Sequence, residues 1–120
     1  MPSREFKLRV RDILFEIAVV EETIDGLSFE AFARNPQALR VLLYSFAVIG
    51  EAVASVITDL EAADSTIPWH QIRGMRNAVI HEYFRVDVEI IWETAQSDLP
   101  VLKAALQRIL ENIEATEPES

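Results

Sequence analysis

The chain has 120 residues, half of them hydrophobic, with no cysteine and a formal net charge of −9 at pH 7. This length predicts a single domain, and the lack of cysteine excludes disulfide bonds and thiolate metal sites. So acidic a chain also argues against a long basic groove for nucleic acid, because phosphates are bound by clustered Lys and Arg.

The hydrophobic share is high for so small a domain, so we expect part of the apolar surface to lie in a subunit interface. The N-terminus lacks the apolar stretch of a signal peptide. The longest apolar run, 41–49, is about half of the ~20 residues needed to cross a bilayer. We therefore expect a soluble, cytoplasmic protein with no membrane contact.

Helical periodicity begins near the N-terminus. An amphipathic helix is predicted over about 3–23, and Asp25-Gly26 ends it. A short helix capped by Ser28 follows and reaches residue 33. Asn35-Pro36 starts a third helix, over 36–59, that is apolar on nearly every side and should therefore be the central helix of the fold.

The second half of the chain is also predicted to be helical. A polar loop over 61–66 precedes a helix that runs from Pro68 to Phe84. Asp87 caps the next helix, in which Asp98-Leu-Pro100 predicts either a restart, with Asp98 as cap followed by proline, or a kink. Four or five helices with short connections predict an all-α antiparallel bundle. We expect one domain over 1–113 and a disordered acidic tail over 114–120.

The helix predicted from Pro68 carries the residues that could do chemistry. On an ideal helix Arg76 lies within the apolar stripe, and Tyr83 follows on the same side. Asn77 and His81 are four residues apart on the polar side. An arginine in an apolar stripe has two interpretations: a structural ion pair with Glu51 of the central helix, or a cleft in which the guanidinium meets a phosphate.

Other catalytic patterns are missing from the sequence. There is no glycine-rich phosphate loop, no HExxH and no nucleophile elbow. His70 and His81 have no carboxylate cluster beside them, which makes a poor metal site, so we expect neither zinc nor another cofactor.

Residues 76–83, Arg-Asn-Ala-Val-Ile-His-Glu-Tyr, resemble the Arg-x4-His-x-Tyr signature of HepT-like toxins in the HEPN superfamily. The segments Ile49-Gly-Glu51-Ala, Ile67-Pro-Trp, Gly74-Met-Arg-Asn and Asp98-Leu-Pro are similar as well, and the likeness spans nearly the whole chain. The resemblance implies a helical HEPN fold and a two-fold homodimer whose motif helices form a composite cleft. It also implies an endoribonuclease that needs no metal.

The same resemblance implies a role for each motif residue. His81 would act as general acid or base on RNA, and Arg76 would stabilise the charge of the phosphorane. Asn77 and Arg73 would support them by contacting phosphate. The partner would be a minimal nucleotidyltransferase antitoxin of the MntA type, which transfers AMP to Tyr83 and so occupies the RNA site.

Two other functions stay open at this stage. The strong acidity favours a non-catalytic subunit that binds nucleotide or substrate for a nucleotidyltransferase. A plain helical dimerisation module would leave Arg76 and Glu51 as a structural pair. On an ideal helix His81 lies about 140° from Arg76, so the two residues act either across a distorted helix or across the dimer.

Overall fold

The computed structural model describes residues 3–77 and 87–117, and every element in these two ranges is helical. The predicted all-α class is therefore confirmed. In chain order the elements are α1 (Arg4–Ile24), α2 (Phe29–Ala33), α3 (Pro36–Ser55), α4 (Ile57–Ala63), α5 (Trp69–Arg73), a 3-10 turn (Gly74–Asn77), α6 (Val88–Glu93), a π turn (Thr94–Asp98) and α7 (Leu99–Thr116).

The first three helices begin where the sequence predicts them. The Ser3 hydroxyl accepts from the backbone N–H of Phe6 at 3.1 Å, and Ser28 caps α2 in the same way. The Asn35 side chain accepts from the third N–H of α3 at 3.0 Å, while Pro36 takes the first helical position, where no N–H is needed. The turn after α1 uses Gly26 with a φ of +76°, a conformation that L side chains rarely adopt.

Helix α3 is the central element, because α1, α2, α4, α5, α6 and the 3-10 turn all contact it. Its core residues Leu42, Ile49 and Val53 are fully buried. Helix α1 packs along it and buries Val10, Ile13 and other residues of one stripe. By length and mean hydropathy (1.5) α3 could cross a membrane, but half of that apolar window is buried inside the bundle, as in the core helix of a globular protein.

The central helix ends earlier than predicted, at Ser55 rather than at residue 59. The Ser55 hydroxyl donates to the carbonyl of Ala52 at 2.7 Å, and the N–H of Val56 donates to Val53 at 3.2 Å. These bonds close the last turn tightly, and the β-branched Val56 leaves the helical region with φ −134° and ψ 29°. A new helix, α4, starts at once and covers half of the loop predicted over 61–66.

The predicted cap and kink in the second half take a specific form. The Asp87 carboxylate accepts from the N–H groups of Glu89 and Ile90, so α6 is capped as predicted. Before Pro100 the chain widens into the π turn, because proline has no N–H to continue the regular ladder. The side chain of Asp98 makes no capping bond, so the predicted cap at that position is wrong.

Helix α7 runs antiparallel to α1 and extends to Thr116, three residues into the tail that the sequence predicts as disordered. Its acidic end is held by side chains of α1, described below. Trp92 of α6 stacks against Phe32 of α2 with ring centroids 5.1 Å apart and meets Phe29 edge-on at 6.2 Å. This aromatic cluster joins the two halves of the chain.

Candidate active site

The segment that carries the motif is anchored at its start by Trp69. This side chain is 2% exposed, and its indole N–H donates to the backbone carbonyl of Asp64 at 2.7 Å. The Asp64 carboxylate accepts in turn from the hydroxyl and the N–H of Thr66. These two bonds from Thr66 hold the pKa of Asp64 below its ordinary value, with a smaller contribution from the nearby charge of Arg108.

The motif segment is not one regular α-helix from Pro68 to Phe84, as the sequence predicts. Five residues form α5, and at Gly74 the chain tightens into the 3-10 turn. A 3-10 helix turns about 120° per residue instead of 100°, so the side-chain directions of an ideal α-helix no longer apply after Gly74. Residues 78–86, which include His81 and Tyr83, lie outside the described residues, and their predicted roles stay predictions.

A close contact between backbones fixes the 3-10 turn on α3. A Cβ atom added to Gly50 would lie 2.9 Å from the carbonyl oxygen of Arg73 and still closer to the backbone nitrogen of Arg76. Real Cβ atoms essentially never come so close, so only glycine permits this approach. Gly50 is thus a positioning residue that periodicity does not reveal. The only signal for it was the Ile49-Gly-Glu51 likeness to HepT-like proteins.

Arg76 lies at the surface and is not buried in an apolar stripe. Its side chain is 43% exposed, and one guanidinium nitrogen is 3.7 Å from a carboxylate oxygen of Glu51, which is 73% exposed. A pair so open to water contributes about 0–1 kcal/mol. The guanidinium therefore has little desolvation to offset, and a doubly charged or bidentate acceptor such as a phosphate can replace Glu51.

The structure brings three of the predicted site residues onto adjacent turns. Arg73 ends α5 and is half-buried, while Arg76 and Asn77 are both exposed on the 3-10 turn. His70 lies away from them, with its imidazole 3.2 Å from Glu61 of α4. Within the ranges 3–77 and 87–117 no three His, Asp or Glu side chains are grouped so as to hold a metal ion. The described part of the site is a small cationic surface on a fixed backbone.

Comparison with known proteins identifies the family. The model of the family described as "Ribonuclease HepT-like" matches residues 13–109. A protein of Caldanaerobacter subterraneus subsp. tengcongensis named "Putative RNase" is 39% identical over 99 residues, which cover 82% of this chain and 88% of that protein.

Two archaeal relatives are similar over still more of their length. A "Putative RNase" of Methanocaldococcus jannaschii is 32% identical over 120 residues, covering 100% of this chain and 99% of the relative. A "Probable ribonuclease HepT" of Thermococcus cleftensis is 31% identical over 107 residues, covering 89% and 97%. No solved structure matches the chain. On this evidence the chain belongs to the HepT-like ribonuclease family.

Proposed function

We propose that this protein is a metal-independent endoribonuclease, the toxin of a toxin–antitoxin pair in the cytoplasm. The observation that carries the proposal is the position of Arg76 in a chain of the HepT-like ribonuclease family. Its guanidinium is accessible to a phosphate, its carboxylate partner is weakly held, and its backbone is fixed against α3 by the contact at Gly50.

RNA supplies its own nucleophile, so the chemistry needs proton transfer and charge stabilisation only. The 2′-oxygen attacks the adjacent phosphorus while the bond to the 5′-oxygen breaks. His81 removes the 2′-OH proton or delivers a proton to the leaving 5′-oxygen. Arg76 binds the non-bridging oxygens as their negative charge grows, with Asn77 and Arg73 on neighbouring oxygens. The products are a 2′,3′-cyclic phosphate and a 5′-hydroxyl.

A homodimer is the second part of the proposal. Three large apolar side chains of the neighbouring helices α1 and α3 remain open to solvent: Phe15 is 65% exposed, Tyr44 68% and Val41 36%. Aromatic side chains exposed to this degree on adjacent helices are typical of surfaces that a partner covers. A second copy of the chain would bury them and would bring two motif segments into one assembly.

Regulation by a minimal nucleotidyltransferase is the third part. Transfer of AMP to the phenol of Tyr83 would release pyrophosphate from ATP and leave a phosphodiester anion seven residues from Arg76. That anion would compete with RNA for the cationic surface. Co-expression with such an enzyme should add the mass of one AMP to the wild type and none to Tyr83→Phe.

Cleavage of tRNA in EDTA by unmodified protein tests the central claim. The wild type and Arg34→Gln, a matched loss of an exposed arginine just after the end of α2, should both cleave. Arg76→Gln should lose about 10²-fold or more in kcat/KM, the range measured when one charge-stabilising donor is removed. His81→Ala should be at least as impaired. Cleavage that requires added Mg²⁺, or equal rates for Arg76→Gln and Arg34→Gln, would contradict the proposal.

The net charge of −9 favours one other function, a subunit that binds nucleotide for a nucleotidyltransferase. Such a protein would bind ATP or AMP and leave tRNA intact. The same preparation, confirmed by mass to carry no AMP, distinguishes the two functions.

A further inference from the structure

A cleft of about 400 Å3 lies between the first turns of α1 and the last turn of α7. On one side it is lined by residues 3, 4, 7, 8 and 11, and on the other by residues 113, 116 and 117. Three of the α1 residues are cations, Arg4, Lys7 and Arg11, spaced so that they share one face of the helix. They extend over about 10 Å of helix axis, at 1.5 Å per residue.

Acidic side chains at the end of α7 and just beyond it pair with two of these cations. The Lys7 ammonium is 2.6 Å from a carboxylate oxygen of Glu117, and the Arg11 guanidinium is 3.5 Å from one of Glu114. Both carboxylates are nearly half exposed, at 45% and 47%. Arg11 is 51% exposed, so its pair with Glu114 is worth about 0–1 kcal/mol, while the Lys7 side chain is 19% exposed and meets Glu117 at the edge of the cleft. Carboxylates bound so weakly can be displaced by a stronger anion.

Not every cation at this end of the protein is arranged in this way. Arg9 bonds to Glu5 at 3.3 Å and to Asp12 at 2.6 Å, both within α1, and does not line the cleft. The four cations near the start of α1, Arg4, Lys7, Arg9 and Arg11, therefore fall into two groups. One member is held by its own helix, while the others face a cleft whose opposite wall is formed by a different helix.

We propose that this cleft binds the phosphates of an RNA strand, and that Glu114 and Glu117 compete with RNA for Lys7 and Arg11. The proposal rests on the ribonuclease function above and adds an RNA contact that does not involve the motif segment. An acidic protein repels RNA over most of its surface, so binding depends on the few places where cations gather.

A polyanion can win this competition because one strand presents several phosphates at once. Consecutive phosphates of one strand can therefore meet more than one of the cations spaced along α1 from Arg4 to Arg11. Leu8, 45% exposed between these cations, offers an apolar contact for a ribose or base. Each phosphate that is bound releases counterions, whereas displacing a surface carboxylate costs little.

The same helix pair contains its own control. Lys103 of α7 binds Glu21 of α1 at 3.0 Å, and the 49% exposure of Glu21 is similar to that of the two carboxylates at the cleft. Glu21 and its neighbour Glu22 lie near the other end of α1 and line none of the cleft. Glu114→Gln/Glu117→Gln and Glu21→Gln/Glu22→Gln therefore change the net charge equally. The first removes two pairs between the ends of α1 and α7, and the second removes the one pair of Glu21 with Lys103.

Binding of a fluorescent single-stranded RNA with 2′-O-methyl riboses, which cannot be cleaved through the 2′-OH, should be measured by anisotropy in EDTA. We expect Glu114→Gln/Glu117→Gln to bind several-fold more tightly than Glu21→Gln/Glu22→Gln. Lys7→Gln/Arg11→Gln should bind more weakly than wild type. Its slope of log Kd against log salt should fall by about 1.4, near 0.7 for each of two lost phosphate contacts.

Any one of three results would overturn the proposal. Equal RNA affinities for Glu114→Gln/Glu117→Gln and Glu21→Gln/Glu22→Gln would mean that only long-range charge matters. A lower Tm for Glu114→Gln/Glu117→Gln without tighter binding would mean that the pairs simply fasten α7 to α1. With cleavable tRNA, Glu114→Gln/Glu117→Gln should have a lower KM than the wild type and the same kcat. If the wild type cleaves tRNA but the variant shows no change in KM, RNA binding at the cleft is refuted and the ribonuclease function is not. If the wild type does not cleave tRNA, the proposed ribonuclease function itself is refuted.

Discussion

Replacing Gly50 by alanine tests whether the backbone contact holds Arg76 in place. The new Cβ would meet the Arg73 carbonyl at 2.9 Å, while ordinary contacts begin at 3.4 Å, so the 3-10 turn must move by at least about 0.5 Å. Overpacking of this kind costs about 1–3 kcal/mol, and the better helix propensity of alanine offsets about 1 kcal/mol. We expect a net loss of about 1 kcal/mol, near 4 °C in Tm.

The larger effect should fall on cleavage. A displacement of 1 Å at a reacting group can cost about 10²-fold in rate, so a shift of at least half that size should cost about tenfold or more in kcat/KM. Thermal unfolding by circular dichroism and cleavage of tRNA in EDTA measure the two effects on the same sample. A loss of activity greater than the loss of folded protein is the signature of a displaced Arg76.

Gly74→Ala is the matched control for this substitution. Gly74 has helical dihedrals, φ −60° and ψ −18°, and a Cβ added there meets no atom within 4 Å. This variant should keep its activity and gain up to about 1 kcal/mol. If Gly50→Ala matched it in both Tm and kcat/KM, the close contact would not position the motif segment.

Three further results are expected. Asp64→Asn should lower Tm at pH 7, because the depressed pKa that Thr66 imposes gives stability only while the carboxylate is ionised. Its deficit should begin to shrink near the unfolded-state pKa of about 3.9 and vanish only below the depressed folded-state pKa; a constant deficit would exclude this linkage. Glu51→Gln should change the free energy of unfolding by less than about 1 kcal/mol, since its pair with Arg76 is exposed; a loss above 2 kcal/mol in chemical denaturation would refute this. Phe15→Glu should halve the mass seen by light scattering, and an unchanged dimer would place the interface elsewhere.

The helix starts could be predicted from the sequence because capping is local chemistry. Ser3, Ser28 and Asn35 each accept a backbone N–H three residues ahead, so the signal and the structure lie in the same few residues. The end of α3 was less predictable, because the tight closing turn at Ser55 competes with a helical continuation that the apolar pattern equally allows.

The geometry of the candidate site could not be predicted in the same way. The 3-10 turn lies against Gly50, a residue 24 positions before Gly74 in the sequence, and a helical wheel contains no information about such a contact. An ideal helical wheel places Arg76 within the apolar stripe, whereas the structure places it at the surface, because the 3-10 turn from Gly74 does not keep 100° per residue. The roles given to His81 and Tyr83 came from the family resemblance and not from periodicity.

The anchoring of the motif segment by Trp69 also provides an internal optical probe. The chain has two tryptophans, and the other, Trp92, belongs to the aromatic cluster with Phe29 and Phe32. In Trp92→Phe the remaining indole emits from a buried site at the first turn of α5, where its N–H is bonded to Asp64. A red shift of this emission when RNA or a partner binds would show directly that the base of the motif segment opens to water.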